Sequence, residues 1–257
     1  MSIHLRQICL VARKLDPVIA DLTSVLGIQR CYVDEGVAHF GLENTLMAIG
    51  NNFLEVVAPT REGTAAGRYL ERRSGDGGYM VICQAGSHGE QQALRNAAIE
   101  RGIRVAYEAD RDHWNICQLH PRDMIAAFLE IDWDLQCDFN GNWMPASGTA
   151  WQENVDQSVT VDFTGVELQA DDVDALQHAG ARRPGSHSKQ TRTEGPRTFS
   201  WTMPGSASSP PRTAVDRDLA ESTSGSGTRV PLPDVLPNAD SPSTGKTVWT
   251  YVERGFT

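Results

Sequence analysis

The stretch Phe53-Leu54-Glu55-Val56 returns 75 residues later (128 − 53) as Phe128-Leu129-Glu130-Ile131, and this repetition decides the fold. Gly27-Ile28 and Gly102-Ile103 are separated by the same distance. Two landmarks that share one offset indicate that a single supersecondary unit occurs twice. Each copy also carries a glutamate in the middle of an apolar strand, where an ionised group is costly to bury unless it is paired or bound to a cation. The repeat therefore predicts the architecture and a candidate site together.

The first unit spans about residues 5–59 and is predicted to have the order βαβββ. A strand at 5–12 precedes a helix that begins with Asp16 as N-cap and Pro17 as the first helical residue. Gly27 ends this helix, because glycine readily adopts the left-handed conformation of a C-cap. Three strands are then predicted, at 30–33, 37–42 and 46–57.

The second unit repeats this order. A strand at 79–84 is followed by Ser87-His88-Gly89-Glu90, which matches a capping box, and by a helix that ends at Gly102. Pro121-Arg122-Asp123 is predicted to form a turn between the last two strands. The polar connector at 60–78 contains one short predicted helix. The three predicted strands of this unit are 104–107, 115–120 and 124–131.

A third unit begins at 158–176, after a linker at 136–157, and then breaks off. Nine of the 13 prolines lie at or beyond Pro184, and no apolar periodicity survives in residues 177–257. This composition predicts a disordered tail. The alternative is a tail translated out of its reading frame. The genomic DNA distinguishes the two, because an uninterrupted frame, together with an intact mass that matches this tail, excludes the frameshift.

Composition excludes several classes of protein. The net charge of −10 and a pI near 5.1 argue against a nucleic-acid partner or an anionic membrane surface. The chain shows neither a membrane-length apolar run nor a signal peptide at its start, and its five cysteines are scattered without a Cys-x-x-Cys pair. We therefore expect a cytoplasmic protein with reduced thiols. No phosphate-binding loop or dinucleotide fingerprint is present, so no nucleotide cofactor is expected.

The segments 5–16, 53–59 and 119–130 resemble the vicinal oxygen chelate superfamily, the glyoxalase and bleomycin-resistance fold. The resemblance implies an α+β fold in which two paired βαβββ modules form one cup-shaped domain over about residues 1–135. It also implies a divalent metal in the cup, held by side chains from the first and fourth strands of both modules. Family members often assemble their cups across a dimer, so a homodimer is one expected assembly. The two modules would span about 3–59 and 78–134.

Carried over to this chain, the ligand positions fall on Gln7, Glu55 and Glu130, with the fourth near Tyr79 or Met80. Two carboxylates and an amide form a hard oxygen set that suits Mg²⁺, Mn²⁺ or Fe²⁺ better than Zn²⁺. Strand alternation aims Glu55 and Glu130 into the cup. The alternative is that both glutamates face water in an open cleft or pair with an arginine such as Arg6 or Arg104. In the cup, a metal would polarise the vicinal oxygens of a substrate, and one glutamate would shuttle a proton. Glu55 and Glu130 are therefore the predicted catalytic residues.

Four further side chains are candidates for substrate binding. A turn-anchoring hydrogen bond is the alternative for the histidine at 120, and a solvated turn charge is the alternative for the arginine at 122. The tryptophan at 114 is predicted to lie in a loop before a strand, and this loop could form the rim of the cleft or remain an ordinary exposed loop. The histidine at 39 is predicted to lie within a strand. These candidates are His39, Trp114, His120 and Arg122.

Two functions remain open from the sequence. The duplicated Glu55 and Glu130 favour a metal-dependent lyase, isomerase or dioxygenase that acts on a small oxygenated molecule. Gln7 and the apolar fourth position favour a metal-free protein that binds and sequesters a small molecule. A truncated product without activity is the third alternative. Glu130→Ala separates the first two, because only the enzyme loses metal binding and turnover.

Overall fold

Two copies of one βαβββ unit form the N-terminal part of the protein. The computed structural model describes residues 2–169, 198–202 and 248–254. The first unit contains β1 (Ile3–Val11), α1 (Leu15–Leu26), β2 (Arg30–Tyr32), β3 (Leu42–Ile49) and β4 (Asn52–Pro59). The connecting helix is α2 (Ala65–Arg73). The second unit contains β5 (Gly77–Ala85), α3 (His88–Glu100), β6 (Val105–Ala109), β7 (Trp114–Leu119), the short α4 (Pro121–Met124) and β8 (Phe128–Asp134).

The helices form where apolar residues recur at helical spacing. Helix α1 buries Leu15, Ile19, Leu22 and Leu26 along one face and ends at Gly27, which has a φ of 68°. It begins after Lys14, so the predicted cap at Asp16 is wrong by two residues. Helix α3 begins as predicted, with the Ser87 hydroxyl accepting a hydrogen bond from the Glu90 backbone N–H at 3.2 Å.

The strand predicted at 46–57 is two antiparallel strands, β3 and β4, with Ile49 paired to Asn52 across the turn. Two other predicted strands also differ from the structure. The strand expected at 37–42 is replaced by a 3₁₀ helix, Glu35–Phe40, whose first turn is capped by the Asp34 side chain. His39 therefore lies in a 3₁₀ helix and not within a strand. Strand β8 begins at Phe128 and not at 124, because residues Pro121–Met124 are helical and Ile125 has a φ of 70°. Local turn and cap chemistry outweighed the apolar pattern in both places.

The two modules share one eight-stranded sheet with the order β2-β3-β4-β1-β5-β8-β7-β6. Their first strands pair antiparallel at the centre, with Ile8 opposite Val81. The ends of the sheet approach each other, since the ring of Phe40, beside β2, lies 5.4 Å from the ring of Tyr107 on β6. The sheet is therefore curled, and we call its concave side, opposite α1 and α3, the inner face. This arrangement confirms the predicted α+β fold of paired modules.

Apolar residues form a core on each side of the sheet. The outer core joins α1 to β1, β3 and β4, and includes Ile8, Leu10 and Ile19. The inner core contains Cys9, Phe53, Met80 and Ile82 together with two tryptophans from the segment after β8. Because both faces of β1 and β4 are covered, these strands are buried along most of their length.

Residues beyond 157, where the third unit is predicted to begin, add a further strand, β9 (Thr160–Gln169). Phe163 and Val166 of β9 pack into the outer core. Within the predicted tail, β10 (Thr198–Thr202) and β11 (Val248–Arg254) pair antiparallel with β9. Residues 170–176 of the predicted third unit and the rest of the tail lie outside the described residues. In the part of the chain that the structure describes, no helix is both long and apolar enough to cross a membrane.

Candidate functional site

A buried polar layer crosses the inner face at the centre of the sheet. Gln7 on β1, Glu55 on β4 and Glu130 on β8 all belong to it, so the structure brings the three predicted ligand positions to one region. In strand register, Gln7 lies beside Phe53 and Met80 lies beside Phe128. Met80 is therefore the counterpart of Gln7 in the second module, which places the fourth position on a thioether.

Arg6 joins this layer through an irregularity in β1. The pairing of β1 with β5 shifts register between Leu5 and Gln7, which turns Arg6 toward the inner side next to Gln7. The guanidinium is fully buried and donates from Nη1 to the Gln84 Oε1 atom at 3.0 Å and to the Asp138 carbonyl at 2.9 Å. Burial lowers the pKa of Arg6 to about 10, although Asp134 and Asp138 oppose this change. Arg6 thus remains a buried cation at ordinary pH.

Both carboxylate oxygens of Glu55 are occupied by amide donors. Gln7 Nε2 donates to Oε2 and Asn44 Nδ2 donates to Oε1, each at 2.7 Å. Burial raises the pKa of Glu55, and the hydrogen bonds from Asn44, Cys9 and Gln7 offset part of that increase. The carboxylate of the first module is therefore held by the protein's own side chains.

Glu130 has a sparser environment. Gln118 Nε2 on β7 donates to its Oε2 atom at 2.5 Å. Burial raises the pKa of Glu130 to about 7, the Gln118 hydrogen bond opposes this, and the charge of Glu55 raises it further. The side chain of Asp132, two residues further along the same face of β8, lowers this pKa as well. Near neutral pH, the Glu130 carboxyl is therefore poised between its two protonation states.

The segment 136–157, which we call the tryptophan segment, covers the first module's half of the inner face. Trp143 and Trp151 are almost completely buried there. The Trp143 indole N–H donates to Gln7 Oε1 at 3.1 Å, and its ring lies 5.0 Å from the Arg6 guanidinium carbon. Trp151 packs edge-on against Phe53, with ring centroids 4.9 Å apart. The predicted linker is therefore part of the inner core.

Of the four predicted substrate-binding residues, the structure places only Trp114 on the inner face. His39 is exposed, with its ring edge-on to Phe40. His120 caps α4, where Nδ1 accepts from the Arg122 backbone N–H at 3.2 Å, which is the turn-anchoring bond that the sequence offered as its alternative role. The Arg122 side chain is exposed. The catalytic and substrate-binding roles of these residues stay predictions.

The residues at the metal positions do not fit a divalent metal as they are arranged. An indole can only donate, so its bond to Gln7 fixes the amide oxygen toward Trp143 and directs the amide N–H toward Glu55. Gln7 therefore presents a donor where a metal needs an acceptor. Met80 offers a soft thioether, which is a poor partner for Mg²⁺ or Mn²⁺. Across residues 2–169 and the two later strands, no cluster of three or more His, Cys, Asp or Glu side chains is arranged to hold a metal.

The repeated strand order identifies the architecture. Each module places its first strand beside its fourth, and the two first strands pair at the centre of one curled sheet. The paired modules have the vicinal oxygen chelate fold. No protein-family model and no curated protein matches the chain.

Structural neighbours of this fold are methylmalonyl-CoA epimerases and related proteins of the vicinal oxygen chelate superfamily. A Streptomyces coelicolor methylmalonyl-CoA epimerase in complex with 2-nitronate-propionyl-CoA is 18% identical, with a TM-score of 0.44, and covers 51% of this chain and 97% of its own. The Mycobacterium tuberculosis epimerase is 20% identical, with a TM-score of 0.43, covering 51% and 87%. A hypothetical protein from Bacillus halodurans is 14% identical, with a TM-score of 0.45, covering 52% and 96%.

Sequence reasoning missed three parts of the site. Asn44 and Gln118 satisfy the two glutamates from the neighbouring strands, and a search for amides beside the repeated glutamates would have found them. Arg6 was expected only as a partner of the two glutamates, and its bonds to Gln84 and Asp138 were missed because a bulge breaks the alternation on which the assignment of faces rests. Trp143 was missed because it lies outside the repeat, in a segment without periodicity. An isolated tryptophan in such a segment does not indicate which surface it packs against.

Proposed function

We propose that the protein is a metal-free small-molecule-binding protein whose ligand lies on the second module's half of the inner face. The observation that carries the proposal is the chain of hydrogen bonds from Trp143 to Gln7 and from Gln7 to Glu55. It fills the metal positions of the first module with the protein's own donors. Because these groups are already satisfied, a metal or ligand there would have to displace a buried indole.

The second module offers a more open surface. On β7, Trp114, Ile116 and Gln118 stay partly exposed, in alternation with residues that are buried toward α3. Phe128 on β8 is also partly exposed. A concave surface of mainly apolar side chains with a few polar groups is typical of small-molecule sites. Glu130 and Gln118 supply polar groups at the floor of this surface.

Thermal unfolding of the full-length protein with and without Mg²⁺, Mn²⁺, Fe²⁺, Ni²⁺ and Zn²⁺ tests the metal-free part of the proposal. A ligand that binds only the folded state at about 100 times its Kd adds roughly 2.7 kcal/mol, which gives a clear increase in Tm. We expect no such increase with any of these metals. An increase that disappears in both Glu55→Ala and Glu130→Ala would restore the metal-dependent enzyme as the better interpretation.

A pair of variants tests where the ligand binds. Ile116→Trp adds a large side chain on the inner face of β7, whereas Ala106→Trp adds the same side chain at an exposed position of β6. A small-molecule library screened by Tm identifies binders of the wild type. We expect Ile116→Trp to abolish their binding and Ala106→Trp to retain it. Binding that survives Ile116→Trp would place the ligand elsewhere.

A second candidate function is metal-independent proton transfer by Glu130. It is favoured by the pKa of this carboxyl, which burial raises to about 7, close to the value that suits a general acid or base at neutral pH. Glu130→Gln separates the two functions because it preserves size and hydrogen bonding. A binding protein keeps its ligand affinity within a few-fold, whereas an enzyme loses turnover of any substrate found among the binders.

A further inference from the structure

Asp132 on β8 is fully buried, and neither of its carboxylate oxygens has a hydrogen-bond partner among the described residues. A buried polar group without a partner is costly, and a buried carboxylate more so. Its neighbour in the parallel register of β5 is Gln84, whose Oε1 atom accepts from Arg6 but whose Nε2 donor has no partner in the described structure. Two adjacent side chains thus carry both unmet acceptors and an unmet donor.

Trp114 supplies a second unmet donor at the same place. Its position on β7 is opposite Asp134, so it is a diagonal neighbour of Asp132 on the inner face. The indole Nε1 atom is buried and has no hydrogen-bond partner in the part of the chain that the structure describes. Burial raises the pKa of Asp132, the Glu130 carboxylate raises it further and the nearby indole lowers it. The indole is therefore close to this carboxyl, although no donor is aligned with either of its oxygens.

We propose that Asp132, Gln84 and Trp114 form a subsite for a neutral small molecule with at least two hydroxyl groups, such as a polyol or a sugar. This inference rests on the proposed function and names its ligand class. A simple cation satisfies only the Asp132 oxygens, and a simple anion satisfies only the two N–H donors. A hydroxyl group both donates and accepts, so adjacent hydroxyls satisfy all three side chains at once. The Trp114 ring supplies apolar surface for the carbon skeleton.

The position of the subsite separates it from the metal positions. Gln84 and Asp132 lie two residues further along β5 and β8 than Ile82 and Glu130, which face each other in the same register. The two indoles of the tryptophan segment contact the other half of the inner face, at Gln7 and Phe53. The same segment reaches the edge of the subsite, because Arg6 bonds both Gln84 and the Asp138 carbonyl, and Asn142 donates to Asp134 at 3.3 Å.

Calorimetric titration of the full-length protein with glycerol, xylitol and glucose tests the inference, with sodium acetate and tetramethylammonium chloride as probes that carry charge without hydroxyls. We expect binding of at least one polyol or sugar and none of the charged probes.

Trp114→Phe keeps the aromatic ring and removes the N–H, so it should weaken binding roughly 2- to 12-fold, the factor expected for one neutral hydrogen bond. Because its raised pKa favours the neutral carboxyl, Asp132→Asn should weaken binding by a similar factor, roughly 2- to 12-fold, as for one neutral hydrogen bond. Asp112→Asn, an exposed residue in the loop before β7, is the matched control and should bind as the wild type does.

The outcomes separate this inference from the proposed function. If library ligands without hydroxyls bind and are blocked by Ile116→Trp while no polyol or sugar binds, the binding function stands and the hydroxyl subsite is overturned. The subsite is also overturned if polyol affinity is unchanged in both Asp132→Asn and Trp114→Phe. If nothing binds at all, ordered water alone satisfies these groups and both proposals fail. Should Asp132→Asn not fold, as judged by its circular dichroism, Trp114→Phe decides between these outcomes because its ring is partly exposed and retained.

Discussion

Removing the Trp143 side chain should destabilise the whole first module. Trp143 is fully buried, donates to Gln7 at 3.1 Å and lies under the Arg6 guanidinium at 5.0 Å. Truncation of a buried tryptophan to alanine costs about 3–5 kcal/mol. The unpaired Gln7 oxygen adds about 1 kcal/mol, and the lost cation–π contact adds about 0.5–2 kcal/mol. Because these contributions overlap, we expect Trp143→Ala to lower the free energy of unfolding by about 5 kcal/mol.

Urea unfolding followed by far-ultraviolet circular dichroism measures this change through the midpoint and the slope. Trp143→Phe keeps most of the ring and removes the indole N–H, so its expected cost is about 1–2 kcal/mol. Trp114→Phe, at a partly exposed ring whose N–H has no partner among the described residues, is the control and should cost less than either. A Trp143→Ala protein within about 1 kcal/mol of the wild type would refute the placement of the tryptophan segment in the inner core.

Three further outcomes follow from the same structure. The folded-state pKa of Glu130 is about 7, above its ordinary 4.5, so the folded protein holds this proton more tightly than the unfolded chain. The stability that this proton contributes is present below pH 4.5 and is lost as the pH rises through 7. Between pH 4.5 and 8, the free energy of unfolding of the wild type, measured with urea, should fall by about 3 kcal/mol relative to that of Glu130→Gln. Parallel plots of unfolding free energy against pH for the two proteins would contradict this. Gly27→Ala should destabilise the protein more than Gly63→Ala in the same assay. Both glycines have a positive φ, but only at Gly27 would an added Cβ meet a neighbour, the Val159 side chain at 2.8 Å. Equal losses of unfolding free energy would show that this contact does not form. Burial raises the pKa of the Cys31 thiol to about 12 and of the Cys117 thiol to about 11, so both should resist iodoacetamide at pH 8 until the protein is unfolded, and rapid labelling seen by mass spectrometry would contradict their burial.

The repeat made most of the fold predictable. Glu55 and Glu130 occur in nearly identical apolar contexts, so their strands and faces could be inferred from alternation alone. The glycine at position 27 likewise predicted the end of α1 because only a left-handed residue fits there. The strand predicted at 37–42 is wrong because its apolar residues belong to a 3₁₀ helix whose side chains are mostly exposed. The alternation of apolar and polar residues does not distinguish such a helix from an edge strand.

The site was harder to predict than the fold. The sequence identifies which residues share a face, but the orientation of the Gln7 amide depends on Trp143, which lies 136 residues away. That contact decides whether a metal fits, and no local pattern encodes it. The unmet groups of Asp132 and Gln84 are similarly invisible in the sequence, because a carboxylate at the end of a strand usually finds a partner or solvent.

The antiparallel pairing of β1 with β5 relates the two modules by an approximate two-fold axis at the Ile8–Val81 pair. Cys9 lies opposite Met80, and Gln7 lies opposite Ile82, on either side of the Ile8–Val81 pair. In an assembly of two identical chains, one substitution would change both members of such a set. Here both modules belong to one chain, so each half can be altered while the other stays intact. The effect of a substitution in one module can therefore be compared with that of the matching substitution in the other module of the same chain.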